Sequence, residues 1–143
     1  MANLMTVVLD ICNFIFGGNA YFTLVSPTGT RFTYRIYEPK KLKGNNPYGV
    51  RYVAVLTGSE NTTNYTYIGS LTKQNGYKYK SNGIGSDATS VKAITWTLGK
   101  LQKGNDLGAV EFWHEGRCGR CGKKLTVPTS IANGIGPECM KMM

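Results

Sequence analysis

A chain of 143 residues, 41% of them hydrophobic and 17% charged, is long enough to bury one core, and that composition is ordinary for a globular protein and argues against disorder as the default. Lys and Arg number 17 against 8 Asp and Glu, a net charge of +9, which favours a polyanionic partner, nucleic acid first, through long-range attraction and counterion release. No run of five like charges occurs, so part of the excess is accounted for by solvated lysines.

Leu4, Val7, Val8, Ile11, Phe14 and Ile15 recur at helical spacing before Gly17-Gly18, which predicts an amphipathic helix over residues 4–16, although Thr6, Val7 and Val8 pull towards a strand. The stretch is too short and too polar, with Asp10 and Asn13, to span a membrane. No basic residue precedes it and no small-residue cleavage site follows it, so a soluble, cytoplasmic chain is expected. In that compartment the sequons at Asn61 and Asn64 carry no glycan. Cys12, alone among apolar residues, reads as a small core side chain.

Residues 20–26 and 30–37 are aromatic and β-branched, and Pro27-Thr28-Gly29 between them predicts a β-hairpin. Residues 38–49 contain Lys40, Lys41 and Lys43 among Gly, Asn and Pro, the composition of a mobile basic loop. Strands are predicted again at 52–57, 64–71 and 77–80, joined at Gly58-Ser59-Glu60-Asn61 and Gln74-Asn75-Gly76. Ser86 or Asp87 caps a second helix with Val91, Ile94, Leu98 and Leu101 as its apolar stripe and Gly104 as its stop; Lys92, Lys100 and Lys103 fall off the stripe. A last strand over 109–113 leads into the C-terminal segment. The expected fold is α+β: an antiparallel sheet of five to six strands packed by two helices, forming a body over 1–113, with a small C-terminal subdomain over 114–143.

That segment holds the strongest motif. His114, Cys118 and Cys121 form H-x3-C-x2-C, and Cys139 follows after 17 intervening residues. Two cysteines two residues apart can aim both sulfurs at one ion from a tight turn, and Gly119 and Gly122 remove bulk that would oppose the turn. Pro137 and Glu138 suit the first turn of a terminal helix carrying Cys139, so knuckle and helix together are treble-clef-like. The helix position of a usual fourth ligand is taken by Met142, and His114 is the donor expected to fill the vacancy. Four protein ligands, His114, Cys118, Cys121 and Cys139, leave no open position, so a structural Zn2+ is expected, contributing on the order of 10 kcal/mol to the local fold. Leu125, Val127, Ile131 and Ile135 are the expected apolar core beside it, with a short helical turn from Pro128 to Asn133 ended by Gly134. A redox C-x-x-C would leave His114 and Cys139 without a role, and a histidine donor also disfavours an iron–sulfur cluster.

The string from His114 to Cys139, with its H-x3-C-x2-C and Gly-Ile-Gly-Pro-Glu-Cys ends, spans 26 residues and resembles a zinc-binding family of unknown function found in bacteriophage and prophage proteins. The resemblance implies a viral origin, the cytoplasm of an infected bacterial host, and a metal site; no biochemical activity comes with it.

Catalysis is not expected. The single histidine is committed to the metal, the eight acidic residues share no motif, and Gly83-Ile84-Gly85 lacks the lysine of a phosphate-cradling loop. No small-molecule substrate is indicated. A non-catalytic nucleic-acid-binding accessory protein fits the charge, with Arg117, Arg120, Lys123 and Lys124 on the knuckle and Lys40, Lys41 and Lys43 in the loop contacting phosphates. Exposed members of Tyr21, Tyr34, Tyr37, Tyr65, Tyr67 and Tyr77 are candidate stacking platforms. Single strands are preferred over duplex because no basic recognition helix is evident. The alternative partner is a bacterial host protein, such as a defence component, which the zinc segment would engage as a rigid scaffold.

Overall fold

The computed structural model describes residues 3–58 and 64–142. Seven strands, β1 (Asn3–Met5), β2 (Asn19–Val25), β3 (Arg31–Tyr37), β4 (Arg51–Leu56), β5 (Tyr65–Thr72), β6 (Gly76–Tyr79) and β7 (Glu111–His114), form one antiparallel sheet in the order β1-β7-β2-β3-β4-β5-β6. Among the described residues four α-helices accompany them: α1 (Val8–Ile15), α2 (Thr89–Gln102), α3 (Pro128–Asn133) and α4 (Pro137–Lys141). The α+β class is as expected. The strand beyond the expected six is β1, carved from the front of the predicted first helix.

That correction has a physical cause. Thr6 and Val7 are poor helix starters, and the edge of β7 offers Asn3, Leu4 and Met5 a ladder opposite His114, Trp113 and Phe112. The helix therefore begins at Val8 with Val7 as its cap, and Ile11, Phe14 and Ile15 of the expected stripe are buried, whereas Val7 is exposed. α2 buries Val91, Ile94, Leu98 and Leu101 as expected, together with Thr97. It starts after Ala88 rather than at a Ser86 or Asp87 cap.

Alternation divides the sheet into two faces. One carries Ala20, Phe22, Leu24, Tyr34, Ile36, Val53, Val55 and Phe112, which join Ile11, Phe14 and the α2 stripe in a single core. Phe22 stacks on Phe112 with ring centroids 4.4 Å apart and on Tyr34 at 5.6 Å. The register between β4 and β5 shifts after Val53, and Gly69 beside the shift has φ +150° with no room for a Cβ, which would lie 2.3 Å from the Lys78 carbonyl oxygen.

The segment after β3 is better built than a mobile loop. A 3-10 turn spans Lys40–Leu42. Asn46 then accepts from the Val50 amide at 2.9 Å and donates to the Val50 carbonyl at 3.0 Å and to Glu38 Oε2 at 3.1 Å. Arg51 completes the tie by donating to the Phe16 carbonyl at the end of α1, 2.9 Å away, and pairing with Glu38 at 3.6 Å. Ser59, Glu60 and Asn61 of the connection expected before β5, and the sequon residue Asn61 with them, lie outside the described residues.

Candidate metal centre and aromatic sheet face

β7 delivers the chain into a small hairpin. Leu125 donates from its amide to the Gly116 carbonyl at 2.8 Å, Arg117 bridges to Lys124, and Cys118 donates to the Lys123 carbonyl at 2.8 Å. The Gly122 amide bonds the Cys118 carbonyl at 2.9 Å, and Gly122 takes φ +81°, so the turn from Cys118 to Gly122 closes tightly. Gly119 has a different reason to be glycine: a Cβ there would lie 2.6 Å from Phe14 Cδ1. The knuckle is thus pressed against α1, and Gly119 bonds both Gly134 and Asn19 through its backbone, at 2.8 and 2.7 Å.

α3 ends at Gly134 with φ +76°, Gly136 precedes α4, and Cys139 falls in the first turn of α4. The result brings the sulfurs of Cys118, Cys121 and Cys139 within 4.8 Å of one another, close enough to hold one metal ion. Cys118 and Cys139 are buried and Cys121 is exposed. Burial pushes the Cys118 thiol up, but the amides of Gly136, Cys121 and Arg120 aim at its sulfur and outweigh burial, leaving it lowered to about 7. These amides lie at 3.2, 3.5 and 3.4 Å. Amides directed at a sulfur, here two from its own turn and one from the residue before α4, stabilise a thiolate, the form that binds metal.

His114 is not brought to this group. Its ring is fully buried, with Nδ1 accepting from the Gly116 amide at 2.9 Å, which leaves the proton on Nε2 to be donated to the Ile131 carbonyl at 2.6 Å. Burial lowers its pKa, in keeping with a neutral ring. The spacing of the motif is compatible with a ligand, yet the short path from β7 points the imidazole into the core against Phe14, 5.7 Å between ring centroids. Leu125 and Ile135 are buried and Ile131 packs on the core, but Val127 is 45% exposed and takes no part in the expected apolar cluster. Cys12 is half-buried and packs against the core.

Arg117, Lys123 and Lys124 are exposed and Arg120 is half-buried; Lys40, Lys41 and Lys43 are exposed. The register sets the two groups at the same end of the sheet. Asn19 at the start of β2 faces Tyr37 at the end of β3, Tyr37 faces Tyr52 at the start of β4, and Phe22 faces His114 at the end of β7. Both the knuckle and the lysine loop therefore leave from that end.

The second sheet face holds Tyr21, Arg35, Tyr37, Tyr52, Tyr65, Tyr67 and Trp113, none of which joins the core that the helices complete. Arg35 lies 4.4 Å from the Tyr37 ring centroid and 5.2 Å from that of Tyr21, and Lys41 Nζ lies 5.7 Å from that of Tyr52. The rings meet edge to face: Tyr37 with Tyr52 at 6.0 Å, Tyr52 with Tyr67 at 5.0 Å, and Tyr21 with Tyr65 at 5.8 Å. Tyr21 and Tyr65 stand on strands separated by β3 and β4, and their rings nonetheless meet. Three buried polar atoms on this side of the sheet, Asn19 Oδ1, Arg35 Nε and Tyr65 Oη, have no hydrogen-bond partner among the described residues. Burial, with Glu115 and Tyr21 nearby, raises the Tyr65 pKa to about 12.

Two tyrosines expected as stacking candidates belong elsewhere. Tyr34 is fully buried in the core and donates to the Ser90 carbonyl at 2.6 Å, and Tyr77 packs on the core and donates to the Ile68 carbonyl at 2.5 Å. Tyr52 and Arg35 were absent from the expected set. The signal was available: Arg35 alternates with buried Tyr34 and Ile36, and Tyr52 precedes Val53 and Val55.

Comparison with known proteins adds one match. Residues 111–143 match the model of a family of unknown function, DUF6011, and the matched segment begins with β7 and contains all three clustered cysteines. No curated protein and no solved structure matches the chain. Among the described residues no helix is long and apolar enough to cross a membrane.

Proposed function

We propose that this is a phage-encoded accessory protein that binds single-stranded nucleic acid without catalysing a reaction, in the cytoplasm of the infected bacterium, and that its C-terminal segment is a treble-clef-like zinc subdomain. The observation that carries the binding reading is the tyrosine face with Arg35 and Lys41 set among its rings. A single strand needs two things from a protein, aromatic surfaces for bases and cations that track phosphates. The face supplies the first, and Lys40, Lys41 and Lys43 with the knuckle cations Arg117, Arg120, Lys123 and Lys124 supply the second at the adjoining end of the sheet.

Thiolate-rich donors favour zinc over hard cations such as magnesium or calcium. Its role here is to stabilise the fold: Cys118 and Cys139 are buried on opposite sides of the α3 insertion, and an ion joining them clamps α4 to the knuckle.

The test is titration of fluorescent single-stranded and duplex oligonucleotides at two salt concentrations. If five cations neutralise phosphates, affinity for a single strand falls about a hundredfold between 50 and 200 mM salt. Tyr52→Ala should weaken binding about tenfold or more through lost stacking. Salt-insensitive or absent binding by a folded, metal-loaded sample sinks the proposal and redirects the search to a host protein as partner.

A further inference from the structure

Zinc bound by cysteine is ordinarily four-coordinate and tetrahedral, so three sulfurs leave one position to be filled. Among the described residues no other Cys, His, Asp or Glu joins Cys118, Cys121 and Cys139 within reach of a common ion. The nearest alternatives are engaged or turned outward. Met142 Sδ accepts from Arg120 Nη1 at 3.5 Å, and the Glu138 side chain is 87% exposed and pairs with Lys141 at 3.8 Å. His114 is held at both ring nitrogens, and swinging it towards the sulfurs would strand the Ile131 carbonyl and the Gly116 amide without partners. The group reaches the surface at Cys121, which is exposed, and the three cysteines line a cavity of about 310 Å³ whose wall includes Glu138 and Met142.

We infer that the metal is held by three thiolates alone and that its fourth position is filled from outside the chain, by water that an added thiolate can replace, while His114 braces the end of β7 to α3. This rests on the metal reading of the cysteine cluster. It gives the segment an exchangeable coordination position, a binding site for a soft donor that a sealed four-ligand site does not have. The residues fit that role by their unequal burial, since Cys118 and Cys139 anchor the ion inside while Cys121 lies at the surface.

The experiment uses the full chain in three measurements. Elemental analysis establishes one metal per chain; a sample that retains none overturns the metal reading itself and this inference with it. X-ray absorption at the zinc edge of the unmutated protein then counts ligands, with three sulfurs and one light atom expected, and without the outer-shell scattering of an imidazole ring. An imidazole signature overturns the inference whether or not any variant folds. In the cobalt-loaded protein, mercaptoethanol should shift the visible bands, and no shift at saturating thiol would exclude an exchangeable position. His114→Gln should keep metal affinity within about tenfold, as for a residue acting through others, while Cys139→Ser loses about a hundredfold or more. Equal losses in the two variants, with unchanged circular dichroism, would make His114 a ligand.

Discussion

Gly119→Ala is the substitution that most directly tests how the metal segment is keyed to the sheet. The added methyl would sit 2.6 Å from Phe14 Cδ1 and 2.9 Å from the Phe14 carbonyl oxygen. Neither neighbour can yield cheaply. Phe14 is fully buried, its ring lies 6.0 Å from Phe112 and 5.7 Å from His114, and a Cβ on Gly134 would meet the same Cδ1 at 2.6 Å from another side. Overpacking of a filled core costs about 1–3 kcal/mol, and a contact this short against backbone and a locked ring belongs at the upper end, about 2–3 kcal/mol. For a domain of this size that corresponds to a fall in Tm of very roughly 10 °C. Because Gly119 lies between Cys118 and Cys121, the displaced turn should also loosen the metal. Phe14→Ala, itself strongly destabilising, removes the ring atoms that clash and leaves only the contact to the backbone carbonyl, so the double variant should be more stable than the sum of the two singles by about 1–2 kcal/mol. Urea unfolding of the four proteins with zinc present measures each quantity. A Gly119→Ala protein within 0.5 kcal/mol of the parent, or strictly additive singles, would refute the claim that the knuckle is seated on Phe14.

Three further outcomes are expected. Chelation of the metal should melt the knuckle and α4 before the sheet, seen as lost protection of residues 116–142 in hydrogen exchange with β2 to β5 retained; uniform loss over the whole chain would contradict it. Tyr34→Phe should cost about 1 kcal/mol by stranding the Ser90 carbonyl that its hydroxyl donates to, and leave oligonucleotide affinity unchanged, opposite to Tyr52→Ala. Stability should fall on the alkaline side: burial raises the folded pKa of Tyr65 and Tyr77 to about 12 from an ordinary 10, so their contribution is complete below pH 10 and is lost as pH rises towards 12. Urea midpoints that hold constant from pH 9 to pH 12 would count against the burial of both rings.

What the amino-acid pattern reveals depends on whether the deciding interactions are local. The β2–β3 hairpin is legible because aromatic and β-branched residues flank Pro27-Thr28-Gly29, and the α2 stripe because Val91, Ile94, Leu98 and Leu101 repeat at helical spacing. The convergence of Cys118, Cys121 and Cys139 is legible for the same reason, since knuckle and helix start are each encoded within a few residues. Leu4 fits a helical stripe equally well, and only the availability of β7, more than a hundred residues away, makes it a strand residue. His114 shows the limit at the site: its spacing suits a ligand, but its ring is claimed by the carbonyl of Ile131 and the amide of Gly116, partners that motif spacing does not display. The tyrosine face was half legible. Parity along β3 assigns Arg35 and Tyr37 to one side and Tyr34 to the other, whereas the meeting of Tyr21 with Tyr65 depends on the coiling of four strands.

The place of β7 between β1 and β2 sets the order in which the sheet can be assembled. During synthesis β2 through β6 can pair by consecutive hairpins, but β1 has no partner until Glu111–His114 is made, and until then the seven residues of β2 present an open edge beside Phe22 and Leu24. The strand that closes this edge is the one that leads into the cysteine segment. Sheet completion and the gathering of the three cysteines are therefore late and nearly simultaneous events, and a ribosome stalled before residue 111 would hold a chain whose apolar edge is free to pair with a neighbour.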